Sequence, residues 1–273
     1  MEKTGERVII ERRNSIQSWM VLPDPLEGWS LFWEELIQKI SKMDIDASSQ
    51  PIPIAAAFTN DRVVADLAAQ AEKKHSPLII LDLGTGTGYN TWKLSRILTN
   101  RDDVGFVCID FDEKNFKLPT GKGIKFIKYD LNEQFDFGKF DFIIATEVIE
   151  HLENPYAFIR NCVANLKEGG ILYISTPNVA NIYLVMKIFF RGIPYCFWPY
   201  VKGGHEMPFF PFMMKIAVEN IEEIYGRKLR VESFYNKNVF KPYPFRFQVW
   251  LPGYRSRLFG ESAIWKNFPK NGE

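Results

Sequence analysis

Pro77-Leu-Ile-Ile-Leu-Asp82 is a short apolar run that leads into Gly84-Thr-Gly-Thr-Gly88, and a helical pattern follows from Tyr89 to Leu98. An apolar run closed by alternating glycines and continued by a helix predicts a buried strand, a tight turn and a crossover. Further β-type runs stand at Val104 to Ile109, Ile124 to Tyr129, Phe140 to Ala145 and Ile171 to Ser175, with a helix from Pro155 to Leu166 stopped by Gly169-Gly170. Strands separated by crossovers pair in parallel and are covered on both faces. A helix from Met213 to Tyr225, a strand from Lys228 to Phe234 and a last strand within Phe259 to Trp265 complete the pattern. The stretch between those two strands holds too many prolines for regular structure. The fold class predicted is α/β, a doubly wound, mostly parallel sheet of seven strands.

Four regions follow from this reading. Residues 1–54 form an N-terminal helical extension, residues 55–176 the core, residues 177–212 an aromatic-rich lid insertion, and residues 213–273 complete the sheet and the substrate side. In the extension, Trp29, Phe32, Trp33, Leu36, Ile37 and Ile40 recur at helical spacing between Leu26 and Met43. This amphipathic helix offers a surface for capping the pocket or for a homodimer contact. Pro51 and Pro53 mark a linker, and Thr59-Asn60-Asp61 is placed to cap a second helix running to about Lys74.

Composition excludes several classes. With 273 residues, 34 Lys/Arg against 33 Asp/Glu and 46% hydrophobic residues, disorder and collagen fail as whole-chain readings. Cys108, Cys162 and Cys196 make no CxxC pair, and no leader-like stretch opens the chain, so a reducing, cytoplasmic setting is expected. Lys187, Arg191 and Pro194 interrupt the apolar stretch from Ile182 to Trp198. It is too broken to span a bilayer, though peripheral membrane contact is compatible with it. Residues 181–273 hold 14 Lys/Arg and 7 Asp/Glu, a surplus of +7, which marks the basic, aromatic end as the substrate side.

In open parallel sheets the ligand sits beyond the carboxyl ends of the strands, starting at the first strand–helix turn. Gly84, Gly86 and Gly88 lie there, Asp110 ends the second strand and Asp130 the third. A carboxylate at Asp110 can accept hydrogen bonds from ribose hydroxyls, and Asp130 with Leu131 can hold an amino group and a ring face. The successive segments LDLGTGTG, CIDFD, YDLNE, FDFIIATEVIEHLENP and LKEGGILYISTPN resemble the motifs of class I S-adenosylmethionine-dependent methyltransferases over residues 55 to 180. The resemblance implies a Rossmann-like fold with S-adenosyl-L-methionine as cofactor. It assigns cofactor contacts to Asp82, Gly84, Thr85, Gly86, Gly88, Asp110, Phe111, Asp130, Leu131 and Thr146. A dinucleotide dehydrogenase is the structural rival, but its GxGxxG fingerprint needs a glycine where Tyr89 stands.

Thr146-Glu147-Val-Ile-Glu150-His151 follows the fourth strand, where reacting groups belong. In a helical turn Glu147, Glu150 and His151 share one face, and two carboxylates with an imidazole suit Mg²⁺ or Mn²⁺ and are compatible with Zn²⁺. His205 in the lid is the candidate fourth ligand. ExxEH with a distant histidine is similar to the metal site of small-RNA 2′-O-methyltransferases and to the same segment of ubiquinone-biosynthesis O-methyltransferases. Without a metal, His151 serves as base or lines the pocket. Glu150, His151 and His205 are the expected catalytic groups, because an oxygen nucleophile gains from losing its proton to a base or to a cation. TPNVAN, HEMPFFPF and LFGESAIW resemble bacterial methyltransferases of small-molecule, lipid-linked or glycan acceptors, and O-methylation of such an acceptor is the expected function. Nucleic acid is disfavoured as partner because no dense Lys/Arg run occurs, which leaves RNA ribose 2′-O-methylation as the alternative. A non-catalytic nucleotide-binding or assembly protein is a third reading, opposed by the intact glycine turn and both nucleoside-binding acids.

Overall fold

A computed structural model describes residues 57–121, 123–192, 205–235, 239–240, 249–250 and 262–269. The N-terminal extension, with its amphipathic helix and the Pro51/Pro53 linker, lies outside the described residues, as do Cys196 and the aromatics Tyr195, Phe197, Trp198 and Tyr200. In chain order the elements are α1 (Ala57–Glu72), β1 (Leu78–Leu83), α2 (Tyr89–Ile97), β2 (Val104–Asp110), β3 (Ile124–Lys128), β4 (Phe140–Thr146), α3 (Pro155–Ala164), β5 (Leu166–Pro177), α4 (Ile182–Arg191) and α5 (Pro211–Tyr225). They are followed by β6 (Leu229–Tyr235), the two-residue strands β7 (Val239–Phe240) and β8 (Val249–Trp250), and β9 (Ser262–Pro269). Short 3₁₀ turns occupy Glu113–Asn115 and Ile149–His151.

The main sheet has the order β3-β2-β1-β4-β5-β9-β6. β1, β2, β3, β4 and β5 pair in parallel, while β9 runs antiparallel to both β5 and β6. Strand order therefore reverses between β1 and β4, and the crevice at their carboxyl ends is the expected binding position. Alternating side chains on each strand feed two cores. One face buries Leu81, Leu83, Ile143 and Trp265 against Phe158 of α3 and Ile221 of α5. The other buries Ile80, Phe106, Ile144 and Tyr173 against Val64 and Leu67 of α1 and Leu94 of α2. Two-sided burial explains why these strands read as continuous apolar runs rather than alternating ones.

Four local expectations need correction. α1 begins at Ala57, so Thr59, Asn60 and Asp61 lie within the helix rather than ahead of it; alanine is the best helix former and carries the first turn back. α3 ends at Ala164 rather than Leu166, and Gly169-Gly170 are not what stops it. Asn165 stops it, its amide Nδ2 donating to the carbonyls of Asn161 and Phe135 and its Oδ1 accepting from the Phe137 N–H. The two glycines fall instead in an irregularity of β5, where pairing with β4 jumps from Leu166 opposite Phe140 to Ile171 opposite Phe142. The proline-rich stretch before β9 does hold regular structure, since β7 and β8 pair through Val239 with Trp250 and Phe240 with Val249.

Candidate functional site

The glycine turn after β1 is fixed by backbone geometry that only glycine adopts without strain. Gly84, Gly86 and Gly88 have φ of 63°, 54° and 88°. A Cβ on Gly84 would lie 2.3 Å from Cγ2 of Val148, so the turn packs directly on the segment that leaves β4. A Cβ on Gly86 would meet no atom within 4 Å. The turn thus closes on the protein at Gly84 and opens outward at Gly86, leaving a bare backbone that a ligand can approach. Gly88 caps α2, its N–H donating to the Thr85 carbonyl and its carbonyl accepting from the Trp92 N–H, both at 2.8 Å.

Three strand ends present polar groups around this turn. Asp110 at the end of β2 accepts the Gly86 N–H at 2.8 Å through one oxygen and the Asp112 N–H at 3.0 Å through the other. Each carboxylate oxygen keeps a second lone pair for a diol. Phe111 beside it is 71% exposed, leaving an open ring face. After β3, Asp130 accepts from the backbone and side-chain amides of Asn132, while Leu131 is buried beneath. At the end of β4 the Thr146 hydroxyl accepts from Nδ2 of Asn90 at 2.9 Å.

Asp82 lies under the turn, fully buried. Its Oδ2 accepts the hydroxyls of Thr85 and Thr91, each at 2.9 Å, and its Oδ1 has no hydrogen-bond partner among the described residues. Burial pushes its carboxyl up from 3.8 to about 6, against the Thr91, Thr85 and Asn90 groups that lower it. A buried carboxylate oxygen with no partner is costly unless a cationic or donating group meets it. The amino end of a methionine-like ligand is such a group, so Asp82, the bare Gly86 backbone and Asp110 fit S-adenosylmethionine in kind. Sequence reasoning missed Asn90 and Thr91. The available signal was their place in the first turn of the helix behind Gly88, directly over Asp82.

The second group of residues forms where the chain leaves β4. Glu147 has φ of 55°, the sole non-glycine with positive φ among the described residues. Its N–H donates to the carbonyl and the hydroxyl of Ser175, and that hydroxyl donates back to Glu147 Oε1 at 3.0 Å. The expected helical turn spans only Ile149–His151, so Glu147 does not share a helical face with Glu150 and His151. The close contact of Val148 with the glycine turn forces the sharp exit and points Glu147 toward β5. The metal-capable cluster found among the described residues is Glu150, His151 and His205, without Glu147.

Glu150 is fully buried. Its Oε2 accepts the Thr176 hydroxyl at 2.9 Å, and its Oε1 lies 3.8 Å from Nε2 of His205. Its carbonyl accepts the N–H groups of Glu206 at 2.8 Å and Met207 at 2.9 Å, which brings the 205–210 segment back over β4. The rings of His151 and His205 meet edge to face, centroids 4.8 Å apart. Glu150, His151 and His205 each offer a ligand atom, all within 4.8 Å of one another. Burial, and then the charge of Glu147, hold the Glu150 carboxyl well above the usual range. Burial, and then His151, pull His205 down to about 4. Near pH 7 His205 is therefore neutral and Glu150 is biased toward its protonated form, and a cation bound there would displace that proton. Sequence reasoning singled out all three but missed Ser175 and Thr176, whose hydroxyls orient the two glutamates.

A family model described as a methyltransferase domain matches residues 56–207. The chain is 27% identical over 172 residues to the ubiquinone biosynthesis O-methyltransferase of Maricaulis maris, covering 57% of this chain and 66% of that protein. It is 30% identical over 135 residues to the enzyme of the same name from Parvibaculum lavamentivorans, covering 46% and 51%. The chain thus spans between half and two thirds of the length of these relatives. Its fold is similar to that of magnesium protoporphyrin IX methyltransferase from Synechocystis PCC 6803, solved with bound S-adenosylhomocysteine, at a TM-score of 0.52 and 17% identity over 88% of this chain and 95% of that one. With the GxGxG turn opening at Gly86, acids at the next two strand ends and a family match over more than half its length, the chain belongs to the class I S-adenosylmethionine-dependent methyltransferases.

Proposed function

We propose that the protein transfers a methyl group from S-adenosylmethionine to an oxygen of a small-molecule, lipid-linked or glycan acceptor. The observation that carries this reading is the convergence of Glu150, His151 and His205 at the carboxyl end of β4, joined to the glycine turn by the Val148–Gly84 contact. Asp110 with Phe111 and Asp130 with Leu131 hold the nucleoside, while the glycine turn with Thr85, together with Asp82 and Thr146, serves the methionine end. The sulfonium supplies an activated methyl group, so the protein's task is mainly alignment, which contributes roughly 7–11 kcal/mol when the reacting atoms are well placed.

An oxygen acceptor also needs somewhere to send its proton. His151, less buried than Glu150, is the base that faces the acceptor side, and Glu150 and His205 behind it set its orientation and protonation. The same trio offers one carboxylate oxygen and two imidazole nitrogens, a set that would suit Mn²⁺ or Zn²⁺ better than Mg²⁺, and Glu150 Oε1, which has no hydrogen-bond partner among the described residues, is the natural ligand atom. A cation held there would lower the acceptor hydroxyl's pKa. The names of the relatives, ubiquinone biosynthesis O-methyltransferases, support an oxygen acceptor.

The test is calorimetric titration of S-adenosylmethionine and S-adenosylhomocysteine, with and without Mg²⁺ or Mn²⁺, on wild type and His151→Ala, paired with transfer assays on phenolic and sugar hydroxyls. His151→Ala is expected to keep cofactor affinity and to lose roughly 10²–10⁴-fold in transfer to oxygen. Failure of the wild type to bind either cofactor form overturns the reading. Equal transfer by wild type and variant removes the trio from the chemistry.

A further inference from the structure

α4 follows β5 within five residues, and β5 carries Thr176, the partner of Glu150. The helix therefore stands at the rim of the strand ends that hold the trio. Ile182, Val185, Met186, Phe189 and Phe190 fall at i, i+3, i+4, i+7 and i+8, the stripe by which an amphipathic helix normally docks on a core. Here the stripe faces outward. Their exposures run from 39% for Ile182 to 80% for Phe189 and 72% for Phe190, whereas Leu184 and Ile188 on the other side are partly covered. The two phenylalanine rings contact each other edge to face at 5.2 Å and stand as a ridge rather than lining a groove. A contiguous apolar stripe of this kind on a folded surface marks an interaction site.

Charge narrows the partner. From Gly169 to His205 the chain contains no Asp or Glu, while Lys187, Arg191 and Lys202 fall within it, in the company of Tyr183, Tyr195, Phe197, Trp198 and Tyr200. Basic residues with aromatics and without any acid match a negatively charged surface whose interior is apolar. A protruding pair of rings suits a deformable phase better than the preformed pocket a protein would have to supply. Ten residues of helix reach about 15 Å, half of a bilayer core, so the element can lie in a membrane surface but not cross it.

We propose that α4 is an interfacial helix that seats the protein on an anionic lipid bilayer, with the Ile182–Phe190 stripe at the boundary between headgroups and acyl chains. Docked in this way, the rim of the site opens toward the lipid and admits an acceptor resident in the bilayer. That last step rests on the methyl-transfer reading, while the docking does not. The test is flotation of the full chain with vesicles of phosphatidylcholine alone or with about one third phosphatidylglycerol, comparing wild type with the double variant Phe189→Ser and Phe190→Ser. Wild type is expected to float with the anionic vesicles, less so at high salt, and the double variant to lose roughly tenfold or more of that partition. S-adenosylhomocysteine binding, measured on the same samples, should be equal in both, which separates a docking failure from a failure of the cofactor site. No vesicle binding by wild type, equal binding to neutral vesicles, or undiminished binding by the double variant overturns the proposal. So does a wild-type dimer that the double variant splits in the absence of lipid, since the stripe would then cover a second copy.

Discussion

Gly84 and Gly86 share a left-handed backbone but differ in what surrounds them, and the difference separates folding from binding. Alanine at either position bears about 1 kcal/mol of backbone strain. At Gly84 the new methyl would also press on Val148 at 2.3 Å, so Gly84→Ala should cost about 2–3 kcal/mol in a urea unfolding series. At Gly86 the methyl meets no protein atom, so Gly86→Ala should cost only the strain but weaken S-adenosylhomocysteine binding at least about tenfold in calorimetry. Equal effects of the two on both readouts would deny that the turn opens at Gly86. Asp82 gives the residue scale its pH dependence. Its carboxyl is raised from 3.8 to about 6 by burial, so the folded protein holds the proton more tightly than the unfolded chain. That contribution is fully present below pH 3.8, is lost as pH rises through about 6 and stays lost above it. Asp82→Asn removes the titration at nearly constant volume. In the ligand-free protein it should raise stability relative to wild type at pH 8 by on the order of 1–3 kcal/mol, with the gain shrinking toward pH 4. A gain that does not vary with pH would assign the effect to packing instead.

At the scale of elements, the parallel half of the sheet was legible because each strand carries its own signal. β1, β2 and β4 are largely apolar runs and β3 alternates Ile and Phe with Lys, and each strand's ends were read to within about a residue. The positions of Gly84, Gly86, Gly88, Asp110 and Asp130, proposed to hold the cofactor, were legible for the same reason, since they sit at strand ends that the sequence marks. What escaped was set by long-range contacts. The stop of α3 at Ala164 depends on Asn165 reaching Phe135 and Phe137, thirty and twenty-eight positions earlier. The departure of Glu147 from the expected helical face depends on Val148 meeting Gly84 and on Ser175 taking the carboxylate. No local periodicity encodes either. α4 was not legible at all: the sequence shows only an interrupted apolar stretch inside the lid insertion, and both the helix at Ile182–Arg191 and the outward direction of its stripe belong to the folded chain.

For the whole molecule, the last strand ties the acceptor side of the site together. β9 comes from the far end of the chain, yet it lies between β5 and β6, and Ala263 through Asn267 are all buried. Trp265 in its centre packs edge to face on Phe209 at 5.5 Å, and Phe209 stands four residues after His205. The N–H groups of Glu206 and Met207 donate to the Glu150 carbonyl from the same short segment. His205 is therefore positioned from two directions, by the backbone of Glu150 and by the core around Trp265. Trp265→Ala opens a large cavity at the contact and should cost about 3–5 kcal/mol. The cofactor side, built mainly from residues 82 to 131, lies at the ends of β1, β2 and β3, whereas Trp265 sits on β9, beyond β4 and β5 in the sheet order. Below the variant's melting temperature, S-adenosylhomocysteine affinity should therefore stay near wild type while transfer to oxygen falls. Parallel losses of cofactor affinity and transfer would mean that the two halves of the site are not separately supported. A stability change under about 1 kcal/mol would mean that β9 is dispensable to the core, against its central place in the sheet.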